Sequence, residues 1–406
     1  MTTTEPDIRD FDLQAVPGDF IADPYRYFAA LREHSPVHRL PDGSVMLTRY
    51  DDLCAVYRDP DGWRSGKKAD FAPKFGPGSP LYEHHTTSVV FTDPPDHRRI
   101  RNLFQAAFTR KALEALRPRI AELVDGYLDA AEDRGGMDVV EDFSFTLPIA
   151  VICQMLGLPP EDRVLIRDWA VAILTALEPK LTPEQLDTGN RAVTDFKAYL
   201  TDLIAHRKAH PTDGADGEVL TALMEAEEDG RKLSELELLH QCIFMLNAGH
   251  ETSTNMISHG VHEMLRRPDQ VARLHTDPGL ITTMVEEVLR FQAPIQINNR
   301  RAARDAVVGG VDLPEGTVVH LMIGAANHDP AQFAAPEQFD IGRQPNRHLS
   351  FGLGIHICAG NTLGRIEGEI AFGKLFARFP NLRLTGPAKL ANRIRFREVT
   401  ELPVAV

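Results

Sequence analysis

Ten residues near the carboxyl end of the chain concentrate features that support chemistry. Residues 351–360 read FGLGIHICAG, one cysteine among three glycines, with His356 two residues ahead of Cys358. Glycine lets a backbone turn tightly and approach a flat ligand closely. Cys358 lies just before a predicted helix, whose amino end carries about half a unit of positive charge. That charge and the N–H groups of the loop favour a thiolate, the form of cysteine that binds metals. A lone cysteine is also often an inert packing residue, and the loop by itself leaves both readings open. A phosphate loop is excluded, since neither GxGxxG nor GxxxxGK[ST] spacing occurs.

A second constellation, Ala248-Gly249-His250-Glu251-Thr252, sits inside the most apolar helical stretch of the chain. Gly costs about 1 kcal/mol relative to Ala in a helix interior, and a local rule broken in a core helix often marks function. The Thr252 hydroxyl has two uses open to it, a ligand or its own helix backbone. A zinc-protease HExxH motif is ruled out, because Thr254 stands where the second histidine belongs. Glu287 and Arg290 form a third pair, three residues apart on one helix face. Alone, such a pair is usually solvated and worth only ~0.3–0.5 kcal/mol.

The elements that must position these groups are mostly helical. Residues 234–267 carry the second constellation. Ser234 and Glu237 make a capping box ahead of an apolar periodic run, and Pro268 closes it. About thirty residues at 1.5 Å each span roughly 45–50 Å, enough to cross a domain. Further helices are predicted at 24–34 behind Asp23, 96–108 after Pro94-Pro95, 111–132, 143–156, 185–208, 278–291 and 363–378. Residues 37–48 alternate around Pro41-Asp42-Gly43, a hairpin signal. Residues 307–321 are β-like around Pro314-Glu315-Gly316, and 211–217 read as a surface loop. The expected fold is mainly α with small β-sheets, in one domain covering 1–406, without internal repeats.

Composition narrows the classes. The chain has 406 residues, 43% of them apolar, enough for a large core. With 44 basic and 58 acidic residues its net charge is −14, which argues against nucleic acid as the main partner. Cys54, Cys153, Cys242 and Cys358 are scattered without CxxC spacing, against a structural zinc site and in favour of a reducing compartment. The start, MTTTEPDIRD, has no apolar signal core, and no window approaches the ~18 apolar residues of a membrane helix. A cytoplasmic protein, attached neither to a membrane nor to nucleic acid, is expected.

The cysteine loop resembles that of the cytochrome P450 family, FGxGxHxCxG, matched by Phe351, Gly352, Gly354, His356, Cys358 and Gly360. The resemblance implies that Cys358 ligates the iron of haem b, pushing electron density toward O–O cleavage. It places the haem between the long central helix and the helix after the cysteine loop. AGHET resembles the family's oxygen-activation motif [AG]Gx[DE]T. Thr252 would hold the hydrogen bond and Glu251 relay protons, while Ala248 and Gly249 leave room. Glu251 stands where many relatives carry Asp. The resemblance makes Glu287 and Arg290 a buried structural pair, joined by Arg343. DPPDHRRIR resembles the segment entering the haem-crossing helix, so His97, Arg101, Arg300 and His356 are expected on the haem propionates. Arg301 competes with Arg300 for that place, and register favours Arg300.

The resemblance runs through the whole chain and leaves no room in it for a flavin, nicotinamide or iron–sulfur module. Electrons are therefore expected from a separate ferredoxin and reductase, docking on a patch that includes Arg99, Arg110, Lys111 and Arg365. A monomer is expected. O2 and a small or medium apolar or aromatic molecule are the implied substrates, the product arising by hydroxylation or oxidative dealkylation. Phe244, Met245, Ala248, Ile295 and Ile297 are expected to line the pocket, roofed by the loop at 82–90 and the helix near 172–177. The alternatives are a peroxide-driven haem-thiolate peroxygenase, against which Glu251 and Thr252 argue, and a haem protein that binds ligands without turnover.

Overall fold

The computed structural model describes residues 6–178, 180–210, 219–226 and 232–406. The expected surface loop at 211–217 lies outside the described residues.

Helix starts follow their caps. Asp23 accepts from the Tyr25 N–H and opens α1 (Pro24–His34), with proline in its first turn. Then come α2 (Tyr50–Arg58), α3 (Lys68–Phe75), α4 (Pro80–Thr87) and α5 (Asp96–Ala107). Residues 111–132 do not form one helix. They divide into α6 (Arg110–Ala115) and α7 (Arg117–Arg134), because Pro118 lacks an N–H and suits only a first turn. A π-helical turn, Val140–Ser144, leads into α8 (Thr146–Met155). α9 (Arg163–Thr175), α10 (Pro183–Ala209) and α11 (Val219–Glu225) follow.

The capping box of Ser234 and Glu237 forms as expected and starts α12 (Glu235–Leu265), the 31-residue central helix. After it run α13 (Pro268–Thr276), α14 (Ile281–Phe291), α15 (Ile323–Ala326) and α16 (Asn361–Arg378).

One sheet takes the order β1-β2-β8-β5-β3, from β1 (Val37–Arg39), β2 (Val45–Leu47), β3 (Trp63–Arg64), β5 (Ile297–Ala302) and β8 (Val318–Met322). β1 and β2 form the expected hairpin, Val37 facing Leu47. β5 lies antiparallel to β8, with Ile297 opposite Met322 and Arg300 opposite Val319. β4 (Gly136–Asp138), β9 (Arg383–Leu384) and β12 (Pro403–Ala405) form a second sheet. β6 (Ala306–Val308) pairs with β7 (Val311–Leu313), and β10 (Lys389–Leu390) with β11 (Val399–Glu401).

The main apolar core surrounds α12. Within it α12 and α16 approach very closely: a Cβ on Gly260 would lie 2.3 Å from the Phe372 ring. Nearer the middle of α12, Ser253 donates to buried Glu367 of α16 at 2.6 Å. Among the described residues no helix is long and apolar enough to cross a membrane.

Candidate active site

The cysteine loop is shaped by backbone that only glycine adopts easily. Gly352 and Gly354 have φ of +67° and +74°. A Cβ at Gly354 would also stand 2.2 Å from the Tyr57 carbonyl oxygen, so both strain and contact exclude a side chain there. The Cys358 N–H donates to the Phe351 carbonyl at 2.8 Å and closes the loop. Gly360 is the cap residue of α16, and a Cβ there would meet no protein atom within 4 Å. Burial pushes the Cys358 thiol up, while the Gly360 N–H, Arg101 and Arg365 pull it back toward thiolate. Arg365 lies 4.5 Å over the Phe351 ring and is held by Glu286 at 2.7 Å.

α12 breaks its own burial pattern near its middle. Asn247, His250, Glu251 and Ser253 are buried, yet Ala248 is exposed and Phe244 and Thr252 are partly exposed. These three lie at spacings of four, one face of a helix. The Thr252 hydroxyl donates to the Ala248 carbonyl at 2.8 Å, which leaves its lone pairs free to accept. Gly249 answers a different need from the one expected. Its Cβ would fall 2.6 Å from Ile152 Cδ1, so its glycine allows α8 to pack against α12, and the open side is the face of Phe244, Ala248 and Thr252.

Glu251 is 8% exposed and reaches Arg393 with Oε1, while its Oε2 has no hydrogen-bond partner. Arg393 also holds Glu178 at 3.0 Å and Glu398 at 2.8 Å. One guanidinium divided among three carboxylates does not offset the burial of Glu251, whose pKa is pushed up to about 7. Sequence reading missed Arg393, Glu178 and Glu398. Arg393 stands 142 residues from Glu251, and no local pattern links them.

The cationic set converges around the cysteine loop. The His97 and His356 rings lie with centroids 4.0 Å apart. Burial holds both neutral, at pKa values of about 4 and about 2. Arg101 donates to the Ile357 carbonyl at 2.7 Å, and its Nε is buried without a partner. Arg300, 5% exposed, bonds only neutral oxygens, Asn298 Oδ1 at 3.3 Å and the Asn299 carbonyl at 2.8 Å. Arg301 is instead paired with Asp70 and bonded to the Gly316 carbonyl at 2.5 Å. Buried cations require an anionic partner. A thiol in a glycine loop, beside two arginines and two neutral histidines without carboxylate partners, fits haem b with its two propionates.

Glu287 and Arg290 are fully buried and paired at 2.8 Å. Arg290 also donates to the carbonyls of Asn327, Pro336 and Gln338. Arg343 joins Glu287 at 3.1 Å, and Asn346 donates to it at 3.0 Å. This network ties α14 to the segment preceding the cysteine loop.

The pocket expectations need correction. Ile297 packs with Met322 and the N-terminal residues Phe11 and Phe28. The two-residue period of β5 puts it on the opposite face from Arg300. Met245 is buried in the main core. Ile295 is partly buried and bridges Phe396. The roof expected as a loop at 82–90 is α4 followed by a 3-10 turn, Val89–Phe91. Residues 172–177 span the end of α9.

A family model described as Cytochrome P450 matches residues 165–278 and 279–388. The chain is 37% identical to Cytochrome P450 CYP107DY1 of Priestia megaterium, over 93% of this chain and 95% of that protein. It is also 37% identical to a Vitamin D(3) 25-hydroxylase of Pseudonocardia autotrophica, over 95% and 92%. Among solved structures, P450BioI in complex with hexadec-9Z-enoic acid ligated Acyl Carrier Protein superposes with a TM-score of 0.90 at 34% identity, covering 96% of this chain and all of that one. Loop, buried cations and relatives agree: the chain belongs to the cytochrome P450 family, whose cofactor is haem b.

Proposed function

We propose that this enzyme inserts one oxygen atom of O2 into a small or medium apolar or aromatic substrate, acting as a single-domain monomer supplied by a separate ferredoxin and reductase. The balance is R–H + O2 + 2 e⁻ + 2 H⁺ giving R–OH + H2O, and oxidative dealkylation follows where the hydroxylated carbon bears a heteroatom. When bound, haem b supplies the oxygen activation and the C–H oxidation.

The chain's own residues supply the rest. Cys358 would ligate the haem iron as a thiolate, and His97, Arg101, Arg300 and His356 would hold the propionates. Phe351, Gly352 and Gly360 shape the cradle. Ala248 keeps the α12 side open. Thr252 accepts a hydrogen bond with its free lone pairs, and Glu251, with a pKa near ambient pH, is suited to exchanging protons with solvent. Glu287, Arg290 and Arg343 hold the fold and do not touch the reaction. Phe244, Ala248 and Ile295 remain as pocket candidates. The reading is supported by a cysteine closed into a glycine loop, beside arginines and histidines without carboxylate partners.

Donor docking is supported at the cysteine loop by Ile355 and Ile357, 37% and 40% exposed, with exposed Arg110 and Lys111 at the start of α6. Arg99 and Arg365 are engaged by Glu237 and Glu286, so their part in docking is smaller than expected from sequence. Reconstitution with ferredoxin, reductase and NADH tests the reading. Product formed in proportion to NADH consumed supports it. Efficient turnover with peroxide alone, or haem without turnover, contradicts it.

A further inference from the structure

A second group of basic side chains gathers around α3, α4 and the segment after β10, two of them buried and two partly buried. Lys67, just ahead of α3, is 2% exposed, and its Nζ has no hydrogen-bond partner. Asp70 is 3.3 Å away but is shared with Arg301. Arg395 lies between Phe396, which bridges Ile295, and Arg393, which holds Glu251. Its carbonyl accepts from the Gln296 N–H at 2.9 Å. The Arg395 Nε is buried without a partner. Lys74 of α3 donates to the Glu178 carbonyl at 2.6 Å, a neutral oxygen that leaves its charge unmatched. His85 of α4 is 2% exposed with an unpartnered Nε2, and its ring stacks on Phe75 at 5.4 Å.

These groups feel one another. Burial lowers Lys67 to about 8; Asp70 opposes the effect, and Arg300 and Arg395 add to it. Burial lowers Lys74 to about 8 as well, again with Arg395 contributing. Arg395 is lowered by burial and by Arg300 and Arg393, against the pull of Glu178. Crowding like charges away from water is costly unless an anion completes the group. Asp70 is divided between Lys67 and Arg301, and Glu178 and Glu251 are bound to Arg393, so three carboxylates face a larger number of basic groups. Geometry links the three segments: His85 of α4 lies on Phe75 of α3, and Lys74 of α3 and Arg393, two residues before Arg395, both reach Glu178.

We propose that Lys67 and Arg395, assisted by Lys74 and His85, form a carboxylate-binding pole of the substrate pocket, so that the preferred substrate is an apolar body carrying one carboxylate. This rests on the monooxygenase reading above and narrows its substrate class. The same chemistry would also suit a haem propionate, and the experiment separates the two sources.

The test uses the purified holoenzyme and two probes, dodecanoic acid and 4-isopropylbenzoic acid, each against its methyl ester, read by the haem spectral shift on binding. Each acid is expected to bind about ten-fold tighter or more than its ester, the scale of one charge-assisted hydrogen bond. Arg395→Gln and Lys67→Met should each bring the acid close to the ester, with haem content unchanged. Equal binding of acid and ester by the wild type, no shift with either acid, or a preference surviving both substitutions overturns the proposal. Haem loss in both variants with an intact acid preference in the remaining holoprotein assigns the group to the propionates and also overturns it. The reduced carbon monoxide spectrum of the wild type is recorded alongside; its thiolate form is independent of the acid preference, so a failure of the monooxygenase reading is distinguished.

Discussion

In the proposed mechanism two side chains on α12 carry the proton chemistry, and they should fail differently when changed. Thr252 accepts with its free lone pairs, so Thr252→Ala should retain haem while diverting a large share of the electrons into peroxide. Product per NADH and peroxide yield check this, and wild-type coupling in the variant removes the role of Thr252. Glu251 is raised by burial to about 7. Its protonated form is therefore the donor, present below that pH and lost as pH rises through it. Coupling should fall through pH about 7 in the wild type, and Glu251→Gln should flatten that limb. For stability the sign is the same: the contribution of a raised carboxyl is complete below its unfolded value and is lost as pH rises through the folded one. The sequence shows Glu251 and Thr252 plainly, as part of one five-residue motif. It hides Arg393, because the contact joins segments 142 residues apart.

Elements hold these residues through contacts that tolerate little change. Glu287→Ala would leave the Arg290 guanidinium buried without its carboxylate and release Arg343 as well. Loss of one partner of a buried pair costs about 3–5 kcal/mol, a large part of a typical 5–15 kcal/mol. Little soluble holoprotein is expected, and chemical denaturation of what remains should show the loss. At Gly260 a Cβ would meet the Phe372 ring at 2.3 Å. Gly260→Ala should cost about 1–3 kcal/mol by overpacking and loosen haem by displacing α16. Unchanged thermal stability would contradict this close approach. Helix ends marked by Asp23 and Ser234 are legible in sequence because a cap is a local hydrogen bond. The facing of β5 is not: Ile297 turns toward the N-terminal residues, and only the sheet's partners determine which side that is.

At the scale of the molecule, a chain of net charge −14 is expected to receive electrons from an acidic protein. Local charge around the cysteine loop must then outweigh the total. Arg110→Glu should slow reduction by the ferredoxin several-fold at low salt, with the difference shrinking as salt screens it; equal rates at low salt remove the patch. The mainly α architecture is readable in sequence from helical periodicity, and the family from two short motifs. The side chains proposed for the carboxylate pole are not legible in sequence, since Lys67, Lys74, His85 and Arg395 come from segments far apart in the chain. The account as a whole rests on sulfur at the iron, and the absorption spectrum of the reduced carbon monoxide complex reads that bond directly. The wild-type holoprotein should show the thiolate-type band and Cys358→Ala should lack it. A wild type without that band, or a variant that keeps it, would contradict the account.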